Sequence, residues 1–113
     1  MTIKRGDIYW AKLTVQKGSN LINKTRPVVV VSNNTANRFA SIVCIVPITG
    51  KQKKLLPTHV RISGYGLPSV GTALTEQVMS VDKAILSDKI GTLANTDEMR
   101  KIAKCLCIQL GVA

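Results

Sequence analysis

The hydrophobic residues of this chain lie mostly in short runs separated by polar or glycine-containing segments. Residues 28–31 form a β-branched run without polar alternation, which predicts a strand buried on both faces, and residues 41–48 form a second apolar strand candidate. Residues 8–11 form an earlier strand candidate, and residues 58–62 alternate as a half-buried strand does. The pattern of the first half is therefore that of a β protein.

The pattern continues with strand candidates at residues 72–78 and 86–93, and its period then changes. After residue 98, hydrophobic side chains recur at the spacing of one helix face. They are Met99, Ile102, Ala103, Leu106 and Leu110. Asn95 with Glu98 predicts the start of this helix and Gly111 its end. Five or six short strands followed by a C-terminal helix predict a mainly β (α+β) domain, either a small β-barrel or a strongly bent sheet.

Polar segments connect the predicted strands. Residues 16–25 form a flexible basic loop, residues 33–37 a cluster of turn-forming side chains, and residues 50–54 a second basic loop. Each basic loop adjoins a predicted buried strand. If those two strands pair, both loops lie at one edge of the sheet.

The composition of the chain indicates a class of binding partner. The 113 residues fit one domain spanning residues 1–113, and 45% of them are hydrophobic, which is enough for a core. Lysine and arginine number 16 against 6 acidic residues, a formal net charge of +10. So large a basic excess on a short chain favours a polyanionic partner, most simply a nucleic acid.

The cysteines and the N-terminus indicate the compartment. Cys44, Cys105 and Cys107 form no CxxC motif, and an odd number without a framework is typical of a reducing cytosol. No apolar run approaches the roughly 20 residues of a membrane span, and the N-terminal residues lack a signal-peptide core. We therefore expect a cytoplasmic protein with no membrane partner.

Several kinds of catalytic site are absent from the sequence. It contains no phosphate-binding P-loop, no dinucleotide-binding glycine motif and no cluster of metal ligands, so neither a cofactor nor a metal is expected. A Ser-His-Asp triad would have to use His59, and no nucleophile-elbow motif accompanies it. His59 itself is explained equally well as a core residue and as a substrate contact.

Arg26 and Thr49, beside the two basic loops, could together act on RNA. RNA carries its own nucleophile, the 2′-hydroxyl, so its cleavage requires no metal and no hydrolytic water. The guanidinium of Arg26 matches the geometry of phosphate, and the hydroxyl of Thr49 can donate to the same oxygens. On these residues alone, however, a solvated basic surface is the simpler interpretation.

Seven short motifs, in order, resemble the MazF/PemK toxin family. None is specific alone, but together they span residue 4 to about residue 90. They are KRGDIYW at residues 4–10, RPVVVVS at 26–32, NRF at 37–39, PIT at 47–49, LPTHV at 56–60, EQ at 76–77 and DKAILSDKI at 82–90.

The resemblance implies a homodimer of SH3-like β-barrels that cuts single-stranded mRNA at short sequence motifs, leaving a 2′,3′-cyclic phosphate and a 5′-hydroxyl. It assigns catalysis to Arg26 and Thr49. It assigns RNA binding to Ser19, Asn20, Lys53, Lys54, Leu56, Pro57 and Gln77, and we add His59 as the candidate substrate contact. Gln77 would read a base edge. The family's inhibitor is an antitoxin protein whose acidic tail covers the RNA groove.

Two positions depart from the family pattern. Met79 stands where a basic residue often follows the EQ pair, and Lys12 stands where an acid often follows the first strand. The chemical roles of the candidate catalytic residues are a separate question. Because an arginine pKa lies above about 12, we interpret Arg26 first as a transition-state stabiliser and only second as a general acid. A backbone group, a water molecule and His59 all remain candidates for the general base.

Two alternatives remain open. The same barrel occurs in toxins that bind a protein target such as DNA gyrase and catalyse nothing, and those toxins lack the Arg26-Pro27 and Ile48-Thr49 signature. A non-catalytic RNA-binding barrel is the second alternative. Cleavage of RNA by the purified protein in EDTA would separate both from a metal-independent ribonuclease.

Overall fold

The computed structural model describes residues 2–14, 17–22, 24–51 and 54–112. In these ranges the chain forms seven β-strands, two α-helices and two 3-10 turns. In chain order they are β1 (Asp7–Leu13), β2 (Lys24–Val30), α1 (Asn34–Phe39), β3 (Ile42–Thr49), β4 (His59–Ile62), β5 (Gly71–Leu74), η1 (Thr75–Gln77), β6 (Met79–Asp82), η2 (Lys83–Ile85), β7 (Leu86–Thr92) and α2 (Asp97–Leu110).

The strands pair antiparallel in the order β4-β5-β3-β2-β1-β7. The long strand β3 has β2 on one side, while β6 and then β5 follow one another along its other side. This arrangement confirms the predicted mainly β fold with a C-terminal helix.

The core explains why the valine run lacks polar alternation. Val29 and Val31 belong to a cluster that includes Met99 and Ile102 of α2, whereas Val28 and Val30 belong to a second cluster. Because successive side chains of a strand point to opposite faces, both faces of β2 must be covered. The predicted burial on both faces is confirmed.

The described residues contain seven strands, one or two more than the five or six predicted from the sequence. The predicted strand at residues 72–78 ends at Leu74, because the backbone then turns into η1. The strand missed altogether is β6, whose four residues are exposed or half-buried and carry little hydrophobic signal. Strand β2 also begins at Lys24, within the stretch predicted as loop.

The helix boundaries required two further corrections. Residues 34–39 form the short helix α1 in place of a turn, capped by the Asn33 side chain, which accepts from the Ala36 amide at 2.9 Å. Helix α2 is capped by Thr96, whose hydroxyl accepts from the Met99 amide at 3.2 Å, and not by Asn95. The end at Gly111 is confirmed, since its φ of 69° is the left-handed conformation that glycine favours.

Asp7 is a buried acidic residue whose carboxylate bonds to neighbouring residues. It is 2% exposed, and its carboxylate accepts from the Lys4 amide at 3.0 Å and from the Tyr9 hydroxyl at 3.2 Å. Lys89 lies 3.4 Å away and supplies a countercharge. Burial, together with the Asp7 charge, raises the pKa of Tyr9 to about 12. These contacts hold the N-terminal segment on the sheet.

Within the described residues, neither helix is long and apolar enough to cross a membrane.

Candidate active site

Arg26 and Thr49 lie at the same end of the paired strands β2 and β3. The ladder between these strands ends where Val28 lies opposite Pro47, and Arg26 and Thr49 each lie two residues beyond that pair. Arg26 is opposite Ala11 of β1, and Thr49 is opposite Thr72 of β5. The two residues predicted to be catalytic therefore lie at one end of the sheet.

A small cavity of about 150 Å³ lies beside this pair. Half-buried Arg26 lines it together with Trp10, and Ile48 and Gly50 line it on either side of Thr49. The remaining wall comes from residues 67–69 and Gly71. Thr49 lies in the strand behind these groups and is only 3% exposed.

The Thr49 hydroxyl has a defined local partner. Its oxygen accepts a hydrogen bond from the Lys51 amide at 3.2 Å, a short-range contact typical of threonine at a turn. This bond fixes the start of the second basic loop, which the structure describes at residues 50–51 and 54–58. The hydroxyl proton remains a potential donor.

The second loop exposes both charge and apolar surface. Lys54 and Pro57 are exposed, and Leu56 is 51% exposed. The loop is anchored from beneath, because the Leu56 amide donates to Nδ1 of His59 at 3.1 Å and the Pro57 carbonyl accepts from Sγ of Cys105 at 3.4 Å. Lys53, also predicted to bind RNA, lies outside the described residues.

The His59 side chain is only 4% exposed. Its Nδ1 accepts from the Leu56 amide, so the proton of the neutral ring lies on Nε2, which donates to Oε2 of Glu76 at 3.0 Å. Both ring nitrogens thus bond within the protein. Contact between His59 and RNA stays a prediction, while its role in supporting the second loop is visible.

The first basic loop, described over residues 17–22, exposes Ser19 and Asn20. The Ser19 hydroxyl accepts from the Leu21 amide at 3.1 Å, and the Ile22 amide donates to Oε1 of Gln77 at 2.8 Å. Gln77 is half-buried, and its predicted reading of a base edge is not tested by these contacts. Its contact with the first loop could not be found from sequence, because the two residues are far apart in the chain.

Charge around the site is strongly positive. Exposed lysines accompany both loops and the strands beside them, at Lys12, Lys17, Lys24, Lys51 and Lys54. Lys12 follows Ala11, which pairs with Arg26, so this departure from the family pattern adds charge at the same end of the sheet. The other departure, Met79, packs against the second core cluster and adds no charge. In the described part of the chain, three or more potential metal ligands do not come together.

Comparisons with known proteins identify the family. Residues 4–110 match the PemK-like, MazF-like toxin of type II toxin–antitoxin systems. The chain is 39% identical over 115 residues to Endoribonuclease EndoA of Bacillus subtilis (strain 168), covering 99% of this chain and 97% of that relative.

Two solved structures agree with the sequence match. An endoribonuclease in complex with its cognate antitoxin, from Mycobacterial species, is 27% identical with a TM-score of 0.74, over 99% of this chain and 96% of the other. MazF from Deinococcus radiodurans is 21% identical with a TM-score of 0.85, over 99% of both chains, and confirms the predicted mainly β fold with a C-terminal helix. The chain therefore belongs to the PemK-like, MazF-like toxins of type II toxin–antitoxin systems, a family that includes the endoribonucleases it resembles.

Proposed function

We propose that this toxin cleaves single-stranded mRNA at short sequence motifs without a metal ion, leaving a 2′,3′-cyclic phosphate and a 5′-hydroxyl. The observation that carries the proposal is a small cavity at the end of β2 and β3 that is lined by Arg26 and by both neighbours of Thr49, Ile48 and Gly50. In this proposal the guanidinium of Arg26 and the hydroxyl of Thr49 reach oxygens of one phosphate group.

The chemistry proceeds within the RNA. The 2′-oxygen attacks the adjacent phosphorus, the bond from phosphorus to the 5′-oxygen breaks, and negative charge grows on the non-bridging oxygens between the two events. Arg26 neutralises this charge with paired N–H donors, and the Thr49 hydroxyl adds a third donor. A base takes the 2′-hydroxyl proton, and the departing 5′-oxygen takes a proton from solvent water. Because His59 is buried against Glu76, a water molecule is the better candidate for the base.

The two basic loops bind the substrate on either side of this centre. Ser19 and Asn20 in the first loop and Lys53 and Lys54 in the second contact the backbone, and exposed Leu56 and Pro57 offer apolar surface to unpaired bases. Gln77 lies between the loops and, in this proposal, presents its amide nitrogen to a base edge. His59 supports the second loop from beneath.

Two protein partners complete the proposal. A second copy of the chain forms a homodimer, supported by hydrophobic residues left exposed at the end of α2 and just beyond it, Ile108, Leu110 and Val112, at 56%, 61% and 58%. An antitoxin with an acidic, extended segment neutralises the toxin, since a net charge of +10 favours a peptide that competes with RNA. We place both in the cytoplasm, where mRNA is found and thiols stay reduced.

The non-catalytic alternatives account less well for the site. Toxins of this barrel that bind gyrase, or a barrel that merely binds RNA, have no need of an arginine and a threonine at one end of two paired strands, beside a cavity that the arginine lines. Detection of cleavage decides between them and the proposed enzyme.

We expect cleavage to persist in excess EDTA. RNA supplies the nucleophile, while Arg26 and Thr49 supply the charge stabilisation that a metal would otherwise provide. Incubating a purified oligonucleotide with the protein and EDTA should yield fragments whose 3′ ends are cyclic phosphates, identified by mass spectrometry. Loss of cleavage in EDTA with recovery in magnesium would contradict the proposed mechanism.

We expect Lys54→Ala to weaken RNA binding and to leave turnover at saturating RNA nearly unchanged. A lysine that contacts one phosphate contributes about one unit to the slope of log affinity against log salt. Lys83→Ala is the matched control, because the Lys83 amide bonds to Ser41 at the opposite end of β3 from Thr49. Equal effects of the two substitutions would show that overall charge, and not the second loop, determines binding.

A further inference from the structure

The 3-10 turn η1 contacts both RNA-binding loops through consecutive residues. Oε1 of Gln77 accepts from the Ile22 amide in the first loop at 2.8 Å. Glu76 holds the second loop, with Oε1 accepting from the Thr58 hydroxyl at 3.3 Å and Oε2 accepting from His59 at 3.0 Å. Two loops far apart in sequence therefore meet at adjacent side chains.

The turn itself is fixed to the sheet. Thr75, its first residue, is 0% exposed, and both its amide (3.3 Å) and its hydroxyl (2.6 Å) donate to the Thr58 carbonyl. The preceding residue, Leu74, pairs with His59 across β4 and β5, and η1 packs against α2. Glu76 and Gln77 thus project from a rigid support.

The atom of Gln77 that faces the first loop can be identified. Its partner is a backbone N–H, so the facing atom must be the amide oxygen, and the amide nitrogen points away from Ile22. The loops are open to solvent at Ser19, Asn20, Lys54 and Leu56, which are all exposed. The contacts with η1 add to the bonds that anchor the second loop at Leu56 and Pro57. A loop that is already ordered loses less conformational entropy when RNA binds.

We propose that η1 sets the spacing between the two RNA-binding loops, with Glu76 and Gln77 as positioning residues that preform the groove. The inference rests on the proposed function for its effect on RNA, but not for its effect on the loops. It gives the carbonyl of Gln77 a role within the protein, separate from any contact of its amide nitrogen with a base. It also gives a physical reason for acidic Glu76 in a basic site: a carboxylate can accept from Thr58 and His59 together.

The first test uses the protein without RNA. Gln77→Met keeps the length of the side chain but removes the acceptor, whereas Gln77→Glu keeps an acceptor oxygen. Losing one such hydrogen bond should speed amide exchange at Ile22 about fivefold in Gln77→Met, with little change in Gln77→Glu and an unchanged urea midpoint for both. Unchanged exchange in Gln77→Met, or an equal increase in both variants, would overturn the proposal for the first loop.

The second test distinguishes a positioning role of Glu76 from a purely electrostatic effect of its charge. Removing a negative charge beside a polyanion should strengthen binding by electrostatics alone. If Glu76 positions the second loop, Glu76→Ala should instead raise KM about tenfold with kcat within about twofold, because preorganisation is lost before chemistry begins. Glu76→Gln retains one acceptor and should recover part of the loss. It also replaces Glu76→Ala as the test if the alanine variant fails to fold.

A lower or unchanged KM in the folded Glu76 variant would overturn the positioning role. Failure of the proposed function gives a different result, since wild-type protein would then leave RNA intact while the Ile22 exchange rates still respond to Gln77→Met. The two failures are therefore distinguishable in one set of variants.

Discussion

Arg26→Ala is expected to slow cleavage of saturating RNA by about 10²-fold or more, the scale for removing one preorganised donor to a charged transition state. The substitution should weaken RNA binding far less. Arg26 gains its main contact only as charge develops on the phosphate, and such a contact lowers turnover without lowering ground-state affinity. Single-turnover cleavage of one oligonucleotide, together with its binding constant, measures both quantities.

Arg26→Lys is the matched control. It keeps the positive charge but replaces the planar, two-pronged donor with a single ammonium group. If geometry matters, the lysine variant should lose a large part of the rate that alanine loses. A lysine variant with nearly full activity would show that charge alone suffices, and the two-donor contact proposed for Arg26 would be wrong.

Thr49→Ala is expected to slow turnover by a similar or somewhat smaller factor, because one donor to the same oxygens is removed. Thr49 is 3% exposed and its oxygen accepts from the Lys51 amide, so the substitution also affects structure. Losing the hydrogen bond and a buried methyl group should lower the free energy of unfolding by about 1–2 kcal/mol. Urea unfolding must therefore accompany the kinetics.

Two further variants separate these effects at Thr49. Thr49→Ser keeps the hydroxyl and should retain most of the activity, whereas Thr49→Val fills the same volume without the hydroxyl and should resemble alanine. If valine is as active as wild type, the hydroxyl does not participate in cleavage. Thr49 would then serve only to shape the end of β3.

Much of the fold could be predicted from local patterns. The run at residues 28–31 indicated a strand covered on both faces, and the two core clusters on either side of β2 confirm it. The helical spacing was correct at the start of α2, where Met99 and Ile102 are buried, but Leu110 at the end of the predicted face is 61% exposed. These features could be predicted because they depend only on the spacing of apolar residues along the chain.

Other features depend on partners distant in sequence. The strand expected at residues 72–78 stops at Leu74 because Thr75 bonds to Thr58, a contact that no local pattern records. Likewise, Thr96 displaces Asn95 as the cap of α2 through the bond that its own hydroxyl makes to Met99. The predicted and the observed cap are one residue apart, a difference that the side-chain hydrogen bond determines.

For the candidate site, too, some features could be predicted from the sequence and others could not. Arg26 and Thr49 were identified from motifs, and in the structure both lie at the same end of the paired strands β2 and β3. The sequence left His59 open as a core residue or a substrate contact, and the buried ring agrees with the first. The internal contact of Gln77 was not predicted, because Gln77 was interpreted from its motif as a group that faces RNA. A motif indicates that a residue is needed, while the structure shows what its side chain touches.

The most direct test of the catalytic assignment compares Arg26→Ala with Lys54→Ala on one oligonucleotide, measuring single-turnover rate at saturation and the binding constant for each. The account predicts opposite patterns: the Arg26 variant binds RNA almost normally but cleaves it about 10²-fold more slowly, and the Lys54 variant binds weakly but cleaves at nearly the normal rate once saturated. Near-normal turnover of Arg26→Ala on saturating RNA would contradict the assignment and leave a basic surface that binds RNA without this catalytic group.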